Sequence, residues 1–473
     1  MQGTSRRVFL PAIAATALAL ASANPLLTVG ALALLAVVVR LLWRPGEPPA
    51  LLYAMGYHWM QASILLLYAD MDGRVLDSLG YGPMVETATW LTFAGILVVA
   101  LGMRLGAGRN HGQLAQRSVV AIASQLSIRR LFVASLGAIV LTVVASRLAY
   151  VVSGLVQPIL ALALLRWVVV FLFTYVVLAR HSGYLLLAVV FGVEILIGFL
   201  GFFSDFKTVL IVMLLAALTS PSALRGIRLR AAGGLVLLIL VLGIVWTGVK
   251  SDYRAFLNQG TGQQVVLVPV GERVAKLGQL ITSMTPASFG DSVVTLVERV
   301  TYVYYFGQAL ETVPRDLAHE QGLLWREAVQ GAVVPRLLNP AKRIIDDSER
   351  TSYYTGNRVA GADQGTSISL GYMAESYIDF GPVGMMFPLF VWGLFVGLLY
   401  RSLIRATRYP LLGFACAAVL VALRVSELEQ SNLKMVGATL LAFLVLFFAQ
   451  KLVAGRGLRL AALPSARGGI PSG

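Results

Sequence analysis

The apolar residues of this chain fall in blocks of about 15–22, separated by short charged clusters. In a hydrocarbon interior each backbone N–H and C=O must find its partner within its own segment, so blocks of that length become helices. Barrel strands would be shorter and would alternate in polarity. A chain with 58% hydrophobic and only 13% charged residues also lacks the polar surface that a soluble domain needs. The fold expected is therefore an all-α polytopic integral membrane protein with about twelve transmembrane helices.

The expected spans are Val8–Ser22, Pro25–Trp43, Ala50–Ala69, Pro83–Met103, Leu131–Ser153, Pro158–Ala179, Gly183–Phe203, Phe206–Thr219, Ala232–Val249, Pro382–Tyr400, Pro410–Val425 and Leu433–Val453. They divide the chain into nine helices within 1–249, a large loop over 250–381, three helices within 382–453 and a tail over 454–473. With that count every arginine cluster, from Arg6–Arg7 through Arg104, Arg129–Arg130 and Arg225–Arg230 to Arg401–Arg408, lands on one face. The opposite short loops carry Asp70, Asp72, Asp77, Asp205, Glu427 and Glu429 beside a single Arg74. The positive-inside rule then makes both termini cytoplasmic and the large loop extracytoplasmic. The same rule accounts for the formal charge of +15 and removes nucleic acid as a partner, since the basic residues mark span ends rather than one face.

Ser5-Arg6-Arg7-Val8-Phe9-Leu10 resembles a twin-arginine export signal, with Ala21-Ser22-Ala23 as a cleavage site. The plainer reading is a basic anchor ahead of the first span. Cleavage would leave eleven spans in the same orientation. The one cysteine, Cys416, lies in an apolar block, and the four histidines form no zinc-like cluster.

Ionisable groups within spans are costly and call for a role. Arg147 and Arg166 flank a short outer turn, and Glu194 sits near the middle of its block. Either the two arginines line an outward-opening pocket for a phosphate group, or Arg166 pairs with Glu194 while Arg147 snorkels to the interface. The segment Lys250–Leu370 balances twelve basic residues against twelve acidic ones. Val293, Val297, Val300 and Tyr304 follow helical spacing, which predicts an amphipathic helix over Ser292–Leu310. Its aromatic stripe reads first as core and second as a platform for sugar rings. The loop arginines suit a lipid-linked pyrophosphate, and ordinary pairing with the equal number of acids is the alternative.

The segment Glu298–Gly384 resembles the signature region of O-antigen and exopolysaccharide repeat-unit polymerases of the Wzy type. The matching pieces are Gly331-Ala-Val-Val-Pro335-Arg336, Asn339-Pro340-Ala341-Lys342, Gly365-Thr366-Ser367, and Glu375-Ser-Tyr377-Ile-Asp379-Phe380-Gly381-Pro-Val-Gly384. Lys250-Ser-Asp-Tyr-Arg254 also fits, and Arg350 with Gly361 reproduces an Arg-x10-Gly spacing found in some members. A second such loop is missing.

The resemblance implies transfer of a growing glycan from undecaprenyl pyrophosphate onto the next lipid-linked repeat unit, at the outer face of the bacterial inner membrane. Membrane lipid and a chain-length regulator protein are the further partners implied, and no cofactor or metal is required. The leaving pyrophosphate calls for fixed cations. Arg254, Arg336 and Arg350 are the candidates, with Lys250, Lys342 and Arg358 as further substrate contacts. The acceptor hydroxyl calls for a base. Glu375, a carboxylate beside apolar residues, is the first candidate and His319 the second. A hydrogen-bonded anchor at the loop–span junction is the other reading of Glu375. A glycan ligase or another lipid-carrier glycosyltransferase fits nearly as well, with Asp70-Met71-Asp72 as its outer acids. A lipid-linked oligosaccharide transporter is a third reading, disfavoured because the large loop breaks any six-plus-six repeat.

Overall fold

The computed structural model describes residues 16–110, 112–149, 156–202, 205–220, 226–261, 265–334, 346–361, 367–407 and 409–455. The side chains of 112–118, 146–149, 156, 226–232 and 455 are excluded. Among these residues every regular element is helical. Seven helices are long and apolar enough to cross a membrane by length and composition, and three shorter apolar helices accompany them. The chain is a helical membrane protein in that sense.

The tightest contact in the bundle joins the helix Val85–Ala107 to the helix Met386–Arg405. Each carries a pair of glycines four residues apart, Gly102 with Gly106 and Gly393 with Gly397. A Cβ at any of the four would run into the backbone of the other helix: Gly102 faces Phe390 O, Gly106 faces Leu394 O, Gly393 faces Val99 O and Gly397 faces Met103 O. This is the small-residue crossing by which helices associate where lipid supplies no hydrophobic drive between them.

Two ends of the bundle are distinct. At one end Arg44 is buried against Glu47 at 2.6 Å and donates to the carbonyls of Gly108 and Arg109, while Tyr400 Oη donates to Pro48 O. At the other end, three turns all meet the large loop. Tyr81 Oη reaches Glu298 at 3.0 Å, Arg254 Nε and Arg273 Nη1 cap the carbonyls of Phe202 and Leu200, and Lys434 pairs with Asp347 at 2.7 Å.

Several boundaries depart from the sequence reading. The helix expected over Ala232–Val249 runs on as Gly226–Leu257, because Tyr253 and Leu257 are fully buried. Lys250 and Arg254 therefore sit on its last turns rather than in a loop. The block from Pro158 to Ala179 divides into Val156–Leu162 and Leu164–Arg180. The stretch between Arg104 and Arg130 contains the helix Gly112–Gln125, whose Val119 and Ala123 are buried. The amphipathic helix predicted over Ser292–Leu310 is two helices, Pro286–Val300 and Val303–Thr312, parted where Thr301 turns extended. The first is closed at its start by a Thr285–Ser288 capping box. The expected first span lies mostly outside the described residues, as does the tail beyond 455.

Replacing Gly102 or Gly393 by leucine should drive the two helices apart, since the opposing atoms are backbone and cannot yield. Gly437, within the helix Asn432–Gly455, has no heavy atom within 4 Å of its missing Cβ. Thermal unfolding in detergent should show a lowered midpoint for Gly102→Leu and Gly393→Leu and an unchanged or raised one for Gly437→Ala. Equal midpoints for all three would contradict the crossing.

Candidate functional site

The junction between large loop and bundle is built on the helix Tyr372–Gly384, broken internally at Gly381, where φ is 71° and Pro382 follows. Positive φ suits glycine at that position, and proline cannot continue the preceding hydrogen-bond ladder. Each polar side chain of the Glu375–Asp379 stretch is engaged here. Glu375, 1% exposed, accepts the backbone N–H of Asn432 at 2.7 Å. That N–H opens the helix Asn432–Gly455 and has no partner within it, so the carboxylate closes a helix N-terminus. Asp379 does the same for the helix Leu323–Val333, accepting from Leu324 N and Trp325 N at 3.0 and 2.9 Å. Ser376 accepts from Trp325 Nε1, and Tyr377 Oη donates to Val313 O.

Arg350, on the helix Asp347–Thr355, lies between two carboxylates. Its Nη2 meets Glu327 at 2.6 Å and its Nη1 stands 3.7 Å from Glu375. The structure thus brings together the cation and the base candidate of the sequence reading. Burial pushes the Glu375 carboxyl up to about 7, against the opposing pull of Arg350 and the Asn432 N–H. His319 stands nearby, its Nδ1 3.2 Å from Ile378 O and its ring edge-on to Tyr377.

The remaining candidates are dispersed. Arg254 stacks on Phe202 at 5.2 Å, one helical turn from Lys250, and both feel the charge of Arg299 from the neighbouring helix. Arg166 forms a buried ion pair with Glu194, with Nε donating to Oε1 at 2.7 Å, and lies over the Trp167 ring at 4.8 Å. That is the structural pair of the sequence reading. Arg358 is exposed. Arg336 and Lys342 lie outside the described residues, as does the side chain of Arg147.

A second feature was missed by the sequence reading. The helices Phe206–Thr219 and Pro410–Arg424 hold 14 and 15 residues, or about 21–23 Å at 1.5 Å per residue. That falls short of a hydrocarbon layer of about 30 Å. The turn after Pro410–Arg424 therefore reaches deep: Leu428 N donates to Gln61, halfway along the helix Ala50–Met71, and Gln61 donates to Glu429. Tyr372 reaches similar depth, edge-on to His58 at 5.7 Å. Around these short helices lies a cavity of about 250 Å³ whose wall includes Tyr53, Tyr57, Trp167, Asp205, Lys207, Arg424 and Glu427. The available signal was length, since both blocks are too short to span a bilayer alone.

This bundle, with a helical loop docked into one end, defines a class of membrane protein rather than an activity. Residues 115–404 match the family described as Domain of unknown function (DUF8712), which is more than half of the chain, and the chain belongs to that family. The match covers the large loop, Glu375 and Trp167, and stops short of Glu427 and Asn432. No curated protein and no solved structure matches the chain.

Two outcomes follow. An unfolded glutamate ionises near 4.5 and the buried one near 7, so between those values the folded state holds more proton. Stability should fall as pH rises through that window, by at most about 1.4 kcal/mol per unit, and level off above it. Melting midpoints of the purified protein should show this slope and Glu375→Gln should flatten it; identical slopes would remove Glu375 as the cause. Separately, replacing Arg166 and Glu194 together by apolar residues should restore the protein level that either single change lowers, because a lone buried charge costs about 3–5 kcal/mol. A double variant as scarce as the singles would argue against a simple pair.

Proposed function

We propose that this protein is a glycan polymerase of twelve spans in the bacterial inner membrane. Its large loop lies on the extracytoplasmic side, where it transfers a growing chain from undecaprenyl pyrophosphate onto a lipid-linked repeat unit. The observation that carries the reading is the adjacency of Arg350 and Glu375 at the loop–span junction. The resemblance asks for a cation at the leaving pyrophosphate and a base at the acceptor hydroxyl, and these residues come from separate loop segments to meet at 3.7 Å. The raised ionisation of Glu375 to about 7 suits a group that must exchange a proton near neutrality. In this mechanism an incoming phosphate competes with Glu375 for Arg350, and the freed carboxylate takes the acceptor proton. Glu327, held at 2.6 Å, keeps the guanidinium in place. The face on which the acids cluster and the deep docking of the loop also favour chemistry at that end of the bundle.

Cells lacking the protein should accumulate single lipid-linked repeat units, and Arg350→Lys should do the same at near-normal protein level. The lysine keeps the charge that offsets Glu327 and Glu375 but cannot reproduce the planar fork. Losing one such donor typically lowers a rate by about 100- to 1000-fold. Glycan length on a gel and the repeat units recovered from the lipid fraction report both. Long free polymer in the deletion strain would replace the polymerase by a ligase, and normal polymer from Arg350→Lys would take Arg350 out of the chemistry.

A further inference from the structure

The cavity beside the short helices is not used by the Arg350–Glu375 pair and holds none of the residues discussed for pyrophosphate. Its volume is about 250 Å³, and a cavity of about 150 Å³ is already enough for a six-membered ring. Three aromatic side chains line it. Tyr53 and Tyr57 sit one turn apart with ring planes within 25°, and Trp167 is buried in the wall.

The polar groups are balanced in charge. Asp205 and Glu427 supply two carboxylates, Lys207 and Arg424 supply two cations, and Arg424 feels both carboxylates. Arg166 behind Trp167 is already matched by Glu194. The wall therefore carries no net charge to attract an anion. Among the described residues no three metal-ligating side chains stand together. Arg424 Nε is buried with no hydrogen-bond partner among the described residues, a donor on the wall that is left for a ligand oxygen. Asp205 and Lys207 are exposed, so the cavity opens on the side of the large loop.

We infer that this cavity is a binding site for a neutral sugar ring. A pyranose presents an apolar C–H face to the aromatic wall and hydroxyls that both donate and accept. Asp205 and Glu427 accept from those hydroxyls; Lys207 and Arg424 donate to their oxygens. A phosphate would meet two carboxylates, and a hydrocarbon tail would leave the buried Arg424 Nε without an acceptor. The source of the sugar, a lipid-linked repeat unit, rests on the polymerase reading; the site itself does not.

The test uses the chain's single cysteine. In a Cys416→Ala background, Leu423→Cys places a thiol on the cavity wall and Leu160→Cys provides a second, independent reporter. The full-length protein in detergent is labelled with a small water-soluble maleimide in the presence of glucose, galactose, mannose, rhamnose, N-acetylglucosamine or N-acetylgalactosamine, up to several hundred millimolar. At least one sugar should slow labelling several-fold at both reporters, and Trp167→Ala should abolish that protection. Inorganic pyrophosphate should give none. Protection by pyrophosphate and not by sugars, or by neither, overturns the inference. Sugar protection in a protein whose deletion leaves no single repeat units would instead retain the site and dismiss the polymerase.

Discussion

The glycine-lined crossing of Val85–Ala107 with Met386–Arg405 sets the geometry from which the rest follows. Two backbones in van der Waals contact over two turns leave little freedom of tilt or register. Val85–Ala107 then offers its loop-side end to the helix Val303–Thr312, where Gly307 rests on Met84 and Val85. Met386–Arg405 is entered from the motif helix through the Gly381 break, so the register of the crossing fixes where Glu375 and Asp379 stand. Those two acids in turn seat the starts of two further helices. A shift of one residue at the crossing would carry both carboxylates away from the N–H groups they serve.

Three arginines stand in two kinds of ion pair. Arg44 with Glu47 and Arg166 with Glu194 are closed pairs, and isolated pairs of that sort seldom add net stability because desolvation offsets attraction. A packing that stranded one partner would cost about 3–5 kcal/mol. Arg350 is different, because one guanidinium is shared by two acids of unequal strength of contact, 2.6 Å to Glu327 and 3.7 Å to Glu375. The looser side of that triad is the side at which exchange of partners costs least.

Much of the bundle was legible because lipid allows so few solutions: block length was enough to locate most of the apolar helices. The pairing of Arg166 with Glu194 was one of two readings the sequence left open, and it is the one the structure displays. The motif pointed to Glu375 and left its anchoring and chemical roles side by side; the structure supplies the anchor, Asn432 N–H. The helix Gly112–Gln125 escaped because its apolar face is too narrow for a span and is satisfied only by tertiary contact. The cavity escaped for a stronger reason. Its wall is drawn from four separate stretches around Tyr53, Trp167, Asp205 and Glu427, and no local pattern joins them.

The short helices have one more consequence. Pro410–Arg424 is enclosed along nearly its whole length, whereas the long helices Ile128–Ala145, Gly233–Leu257 and Asn432–Ala454 are only 11%, 17% and 22% buried. Matching the thickness of the bilayer falls in part to such exposed helices, and the short enclosed helices are released from it. An annulus of lipid meets full-length apolar walls while the interior is cut away from one side, like a well sunk through a floor of constant depth. Sequence drift in the exposed helices alters which bilayers the protein tolerates. Drift in the enclosed helices alters how deep the well goes, and the two can change independently.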